Sequence, residues 1–335
     1  MVWVRRAAVV VLFGGLLAAL ALTALRITGP ESGTAVRLVS FAPLALLLYA
    51  AGLVGCALVL VLRRLRSSEV DPGGRAVGVL AIVCAAGLGL HGWWLAPAFS
   101  GTSPTAASGT APVRVLTVNL LKGQGDGTSV VELAVAAGVD ILVLEEVTPS
   151  VVAEMRRAGL DQAFPHHAGE PHDGVTGTMV FTTGAVSQAT NLHTTFGSWS
   201  VDIALEQGKV RLFAVHPSPP VDSAATWRAD LARLRDAVAE RHPDLVAGDF
   251  NATADHREFR DILAAGLRDA AERTNAGWQP TWPAEGEVRV LGVPLPRLVQ
   301  IDHVLVGSRL TARSMTTVAV EGTDHRGVLA EVAFR

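Results

Sequence analysis

Residues 244–251 read DLVAGDFN. Asp244–Ala247 is a short apolar run of strand character, and Gly248 breaks it. Asp249 and Asn251 are left just beyond its end. Taken alone, such a pair makes turn chemistry, because Asp and Asn after a strand readily bond their own backbone. Recurrence argues otherwise. Asn119 closes RVLTVNL (114–120), Glu146 follows DILVL (140–144), and His216 follows the Val210–Val215 run. Asp302 lies in QIDHVLV (300–306), and Asp324 and His325 stand in TDHRG (323–327). Two Asn, four acids and two His, each at the end of an apolar run, are costly to explain as turns. Strand ends are where a rigid scaffold presents chemistry.

Working outward, strands are expected at 114–120, 140–144, 178–182, 210–215, 244–247, 301–306, 316–320 and 328–333. Helices are expected at 129–137, 222–240 and 256–265; the second places Trp227, Leu231, Leu234 and Val238 on one face. Strands outnumber helices and do not alternate regularly with them. That pattern predicts a layered α/β sandwich rather than a doubly wound sheet or a (β/α)₈ barrel.

The order and form of these motifs resemble the endonuclease/exonuclease/phosphatase superfamily, the DNase I-like fold, from about Val113 to Phe334. The resemblance implies a four-layer α/β sandwich with its site at one rim of two sheets, and a divalent cation, Mg²⁺ or Mn²⁺. It implies Glu146 as the metal-binding glutamate, assisted by Asn119, with Asp324 a second acid near the metal. Asp249 and Asn251 match the pair that handles the nucleophile and the scissile phosphate. Asp302 matches the acid that orients the catalytic histidine, His325 the general base or acid, and His216 the second histidine of the DNase I and sphingomyelinase branches. The residue types suit this chemistry. Hard oxygen ligands favour Mg²⁺, a histidine titrates near neutrality, and an Asp partner holds its ring. Two departures stand out. Glu145 occupies a position that is often Gln in the family. The only tyrosine, Tyr49, lies outside the domain, which disfavours the branch that uses an active-site tyrosine.

Other candidates carry less. His166, His167 and His172 fall in FPHHAGEPHDG (164–174), read as an exposed loop rather than a metal site. Ser218 lacks a nucleophile-elbow context. Trp278, Trp282 and the apolar run 288–296 read as core packing plus a hairpin, with a lipid-facing rim as the alternative.

The first hundred residues differ in kind. Uncharged apolar runs at 7–25, 38–62 and 76–95 each meet the length of about 20 residues that spans a bilayer core. Arg5, Arg6, Arg63, Arg64, Arg66 and Arg75 flank one side of these runs, and only Arg26 and Arg37 the other. The positive-inside rule then puts the N-terminus in the cytoplasm and everything after the third span outside it. Residues 101–112 (GTSPTAASGTAP) read as a flexible linker between this membrane domain (1–100) and the catalytic domain (113–335). Residues 111–335 carry 20 Lys and Arg against 28 Asp and Glu, a net of −8, so a general nucleic-acid surface is not expected. No protein partner is expected. The two cysteines, Cys56 and Cys84, both precede the domain, which therefore has no thiol nucleophile and no disulfide.

Three spans followed by this domain resemble actinobacterial membrane proteins of the VanJ type, a group linked to teicoplanin resistance. That resemblance implies a multi-pass plasma-membrane protein acting outside the cytoplasm on a lipid-linked phosphate or diphosphate of the cell envelope. An extracytoplasmic nuclease, or a non-catalytic domain that binds phospholipid or wall polymer, are the alternatives.

Overall fold

The computed structural model describes residues 2–65, 72–103, 105–107, 109, 111–284, 289–290, 292–294 and 296–335. Arg66 lies outside them, as do Pro104, Ser108 and Thr110 of the linker and Val288, Leu291 and Leu295 of the 288–296 run. The chain divides into two compact units, Met1–Pro97 and Ala98–Arg335.

The first unit contains α1 (Val2–Thr28), α2 (Gly33–Val39), α3 (Leu44–Arg64) and α4 (Pro72–Leu95). Three helical stretches, Val11–Thr28, Leu44–Arg64 and Gly74–Leu95, are long and apolar enough to cross a membrane. The second expected span is corrected: the helix starts at Leu44 rather than at residue 38. A turn at Ser40–Pro43 separates it from α2, because Pro43 has no N–H to continue a helical ladder. The polar side chains inside this bundle satisfy one another, as burial in an apolar medium requires. Thr23 Oγ1 lies 2.8 Å from the Tyr49 hydroxyl and 2.9 Å from His91 Nε2. The Tyr49 ring fits only because Gly87 faces it; a Cβ there would come within 2.4 Å of the ring.

After α5 (Pro97–Ser100), which begins at the boundary, the second unit runs β1 (Val113–Asn119), α6 (Gly127–Ala136), β2 (Ile141–Glu145), α7 (Pro149–Arg157), α8 (Leu160–Ala163), β3 (His166–Glu170) and β4 (Thr178–Thr182). Then come β5 (Ala185–Asn191), β6 (Trp199–Leu205), β7 (Gly208–Val215), α9 (Ala224–Arg241), β8 (Leu245–Asp249) and α10 (Arg257–Ala264). The chain ends with β9 (Arg268–Asp269), α11 (Ala270–Arg273), β10 (Arg289–Val290), β11 (Val293–Pro294), β12 (Asp302–Val306), β13 (Leu310–Val318) and β14 (Gly327–Phe334). Two six-stranded mixed sheets result, in the orders β13-β14-β1-β2-β4-β3 and β5-β6-β7-β8-β12-β9.

Alternation along the strands dictates the layers. Val113 and Val115 of β1, with Ile141 and Val143 of β2, point into a core shared with Leu212 and Ala214 of β7 and Leu245 and Ala247 of β8. Their neighbours Leu116, Val118, Leu142 and Leu144 face the other way, onto Val130 and Ala134 of α6 and Val151 and Met155 of α7. On the far side, α9 buries Trp227, Leu231, Leu234 and Val238. The order helix, sheet, sheet, helix is the expected four-layer DNase I-like sandwich. Each buried Val or Leu contributes roughly 1.5–3 kcal/mol, so a one-residue slip that turned a strand inside out is excluded.

Two local expectations are corrected. His166–Glu170 is not loop but an edge strand, paired antiparallel with β4. The segment read as a flexible linker is bonded to its own unit. Ser103 Oγ donates to the carbonyls of Arg273 and Ala312 at 2.7 and 2.8 Å, Arg273 Nη1 donates to Thr102 O at 2.7 Å, and Ala107 N donates to Phe334 O at 3.0 Å.

Candidate active site

The parallel pairs β1–β2 and β7–β8 end at one rim, and their last residues carry the polar groups. Asn119 is the register partner of Glu145 in the first sheet. Asp249 is the register partner of Asp302 in the second. Immediately after β2 the chain turns through Glu146 at φ +55°, and after β8 through Asn251 at φ +48°. A left-handed Glu is strained, and its bonds hold it there. Glu146 Oε2 accepts from Lys122 N at 2.8 Å, and Oε1 accepts from Asn119 Nδ2 at 3.3 Å. Asn119 in turn reaches across to the other sheet, Nδ2 to Asp249 Oδ2 at 3.1 Å.

At the centre His325 Nδ1 faces both oxygens of Asp302, at 3.0 and 3.2 Å. Its Nε2 lies 3.9 Å from Asp249 Oδ2 and 3.9 Å from Asp324 Oδ1. All but Asp324 are nearly or fully buried. Burial alone would depress the His325 imidazole, but Asp302, with Asp249 and Asp324 behind it, overrides that and pushes it up to about 10. Burial and the Asp302 charge push the Asp249 carboxyl up to about 7, against the opposing pull of His325 and of the bonds from Asn251 N and Asn119. His216, on the other side of Asp249 at 3.8 Å, is driven down to about 3 by burial and by His325. It is therefore neutral at pH 7, and neither ring nitrogen has a hydrogen-bond partner among the described residues. Phe196 packs edge-on against its ring, 5.2 Å between centroids.

All eight sequence-predicted residues thus converge on one rim, although not all on each other. Asp249 Oδ1 accepts from Asn251 N at 2.7 Å, while the Asn251 amide donates to Pro217 O at 3.1 Å and so ties this turn to the loop after His216. His166, His167 and His172 are elsewhere: the first two lie on β3, and His172 pairs with Glu170 at 3.6 Å.

Two supporting residues, Thr281 and Thr323, escaped sequence reasoning, and two more, Trp282 and Glu145, were read there for other roles. Thr281 Oγ1 accepts from the backbone N of Ile301 and of Asp302 at 3.1 and 3.2 Å. Thr323 Oγ1 donates to Asn119 O at 2.7 Å and accepts from His325 N at 3.2 Å. Trp282 Nε1 donates to Asp324 Oδ2 at 3.0 Å. Glu145, read only as a departure from pattern, is fully buried with Oε1 accepting from Thr117 Oγ1 at 2.8 Å. Burial, then the charges of Asp302 and Asp249, hold it well above the usual carboxylate range.

The donor set suits a hard cation. Asp249, Asp302 and His325 each offer a ligand atom within 4.8 Å of the others. Asp324 Oδ1 is buried without a hydrogen-bond partner among the described residues, and the Glu146 carboxylate and Asn119 amide lie side by side. An unpaired buried carboxylate oxygen such as Asp324 Oδ1 is what an oxygen-ligated divalent ion satisfies.

Comparison with known proteins agrees with this fold. Solved structures share the fold at low identity. D. rerio TDP2 complexed with a single-stranded DNA product matches at 15% identity and TM-score 0.55, covering 66% of this chain and 99% of that one. An endonuclease/exonuclease/phosphatase from Bacteroides vulgatus matches at 16% and 0.53, covering 67% and 100%. One from Beutenbergia cavernae matches at 17% and 0.52, covering 67% and 72%. A search of curated proteins finds no match. The model of the endonuclease/exonuclease/phosphatase family matches residues 116–325, a span that runs from β1 to the histidine paired with Asp302, and the chain belongs to that family.

Proposed function

We propose that this chain is a membrane-anchored, metal-dependent phosphoesterase that acts outside the cytoplasm on a lipid-linked phosphate or diphosphate. The observation that carries the hydrolytic reading is the Asp302–His325 pair, bonded at 3.0 Å, with its free Nε2 turned toward Asp249 and Asp324. Glu146 and Asn119, with Asp324, are the residues we assign to a divalent cation. Asp302 already bonds His325, and that favours an acid–base role over metal ligation for the pair. A bound Mg²⁺ or Mn²⁺ supplies charge neutralisation at the phosphoryl oxygens.

The protein's own groups do the rest. Asp302 keeps the proton on Nδ1, so that the proton to be moved sits on Nε2 of His325. Asp249, pushed toward neutrality, is placed to take a proton from the attacking water. His216, neutral and unpaired, offers a ring nitrogen to a phosphate oxygen, and Asn251 fixes the loop that carries it. The membrane reading rests on the three apolar helices. The outward orientation rests on the arginine asymmetry, and the lipid-linked substrate on the resemblance to VanJ-type proteins together with the net charge of −8 after residue 110.

The test uses the full chain in detergent with polyprenyl diphosphate, sphingomyelin and DNA as substrates and Mg²⁺ titrated in. Phosphate release from the polyprenyl lipid, abolished by EDTA and shifted to higher Mg²⁺ by Glu146→Gln, is expected. Strand scission of DNA without release from the lipid would replace the substrate reading. Turnover undiminished in EDTA would remove the metal. A C-terminal reporter active only in the cytoplasm would reverse the topology.

A further inference from the structure

A cavity opens on the rim that carries the candidate active site. Glu145, Thr178 and Glu170 are register partners across β2, β4 and β3. Glu170 therefore stands two strands from Glu145, about 10 Å at ~4.8 Å per strand. β3 faces β5 and β6 of the other sheet, and there Asn191 and Trp199 are directly opposite one another. Between these edges lies a cavity of about 180 Å³ lined by Glu170, Thr176, Asn191, Thr194, Thr195 and Trp199, among others. That is room for about six waters at ~30 Å³ each, or for one ring-sized group.

The cavity is open to solvent, with Glu170, Thr176 and Thr195 exposed and Thr194 buried at its base, and its walls are joined to the catalytic residues. The 171–177 segment is stitched to the residue after Glu146: His172 N donates to Val147 O at 2.9 Å, and Val147 N donates to Gly177 O at 3.0 Å. The opposite wall, 194–199, is fixed to the His216 loop. Buried Asp230 accepts from Thr195 N, Thr195 Oγ1 and Ser218 N at 3.0, 3.1 and 3.0 Å, and Thr194 Oγ1 bonds Ser198 Oγ at 2.6 Å. Phe196, within that wall, is the residue packed on the His216 ring.

The lining identifies the chemistry of an occupant. It holds neither Lys nor Arg, and its one imidazole, His172, faces the Glu170 carboxylate at 3.6 Å, so a phosphate belongs next door and not here. It offers a carboxylate (Glu170), hydroxyls (Thr176, Thr194, Thr195), an amide (Asn191) and an indole (Trp199). Asn191 spends only its oxygen, which accepts from His193 N at 2.6 Å. Its Nδ2, the Thr176 hydroxyl and Trp199 Nε1 have no partner among the described residues. Donors and acceptors interleaved beside an aromatic ring suit a group with several hydroxyls and an apolar face. We propose that this cavity is the subsite for a sugar carried by the phosphate ester cleaved at the adjoining centre. It rests on the phosphoesterase reading and narrows the substrate to a glycosylated phosphate or diphosphate.

Two arms test it on the full chain in lipid nanodiscs. In the first, KM is compared for polyprenyl diphosphate with and without one attached sugar, in wild type, Thr176→Val and Asn191→Asp. The Asp retains the oxygen that His193 needs. Each variant is expected to raise KM for the sugar-bearing lipid at least about fivefold more than for the bare lipid, the scale of one lost hydrogen bond, with kcat little changed. Equal effects on both lipids, or none on either, overturn the proposal. In the second, saturation-transfer NMR with methyl glucoside, methyl N-acetylglucosaminide, glycerol and choline reads binding without turnover. Sugar signals that vanish in Asn191→Asp support the subsite even if neither lipid is hydrolysed, in which case only the phosphoesterase reading fails. Choline signals alone, or none, overturn it.

Discussion

Replacing Asp302 by Asn tests the dyad at the heart of the site. The two side chains have nearly the same size, and both Asp302 oxygens lie within 3.2 Å of His325 Nδ1, so the change removes a charge and little else. His325 is held at about 10 against an ordinary value near 6.5, and each unit is worth about 1.4 kcal/mol. The surrounding carboxylates therefore favour the imidazolium by roughly 5 kcal/mol beyond what its burial costs. Asp302 is the nearest and first among them; Asp249 and Asp324 stand at 3.9 Å. Without it, burial should dominate and His325 should titrate near or below neutrality. The side chain can also turn its amide N–H toward Nδ1, which disfavours the Nδ1 proton and with it the imidazolium whose Nε2–H is the proton to be moved. We expect kcat on a chromogenic phosphodiester to fall about 10²–10³-fold, less than for His325→Ala, on the scale of general acid–base terms. NMR of the metal-free protein should show the His325 ring titrating several units lower. The decisive measurement is the double variant. Because Asp302 works through the histidine, Asp302→Asn in the His325→Ala background should cost no more than about threefold further. If the two losses multiply, or the His325 titration does not move, the dyad is not a unit and the reasoning fails.

Gly248→Ala should destabilise the domain by at least about 2 kcal/mol, read as a fall in the thermal midpoint, because Gly248 has φ +145° and a Cβ there would meet Val215 O at 2.0 Å; a midpoint within a degree of wild type would mean that β7 and β8 are not packed as described. His303 gives a pH signature: Nδ1 faces Asp269 Oδ2 at 2.7 Å and Nε2 faces Ala252 O at 3.1 Å, and although burial opposes it, Asp269 raises the ring above its ordinary value. A raised folded-state value means that the stabilisation is complete below about pH 6.5 and is lost as pH rises through the folded value; Asp269→Asn should abolish that alkaline decline and lower stability at pH 6, by about 3 kcal/mol for a broken buried pair, and a decline that survives the substitution would assign it to another group.

Much of the architecture was legible because the polar site residues stand at the ends of apolar runs. LTVN, LVLEE, FAVH and VAGDFN announce both a buried strand and its end, and the five residues so marked share one rim with Asp302, Asp324 and His325, which stand at or just before the start of their strands. What escaped has physical causes. β3 was read as loop because an edge strand needs one paired side only, and its His166–Glu170 sequence carries a glycine and is flanked by prolines. β6 contains Asp202, a charge that looks out of place until Arg211 on the neighbouring strand meets it at 2.7 Å. The span boundary at Leu44 turned on one proline. Thr281, Trp282 and Thr323 lie in irregular segments that no periodicity marks, and their partners are 21, 42 and 204 residues away. Glu145 was visible only as an unusual neighbour of Glu146. Its raised carboxyl depends on burial and on carboxylates from the other sheet, and neither is visible near it in sequence.

The site residues are divided between the two sheets, and that division has an operational meaning. Asn119 and Glu146 belong to the sheet built on β1 and β2, and His325 sits just before that sheet's strand β14. Asp249, Asp302 and His216 belong to the other. The bonds that define the centre, Asn119 to Asp249 and His325 to Asp302, both cross between them. Neither half of the chain holds a complete dyad, so no fragment ending within β8 can hydrolyse anything, however well it folds. A slip of one sheet over the other by a single residue, about 3.3 Å, would separate both pairs while leaving most hydrophobic contacts available. Turnover is consequently a sharper gauge of correct sheet stacking than any spectroscopic measure of secondary structure. Co-expressed N- and C-terminal pieces cut in a loop between the sheets would report their own docking through recovered activity.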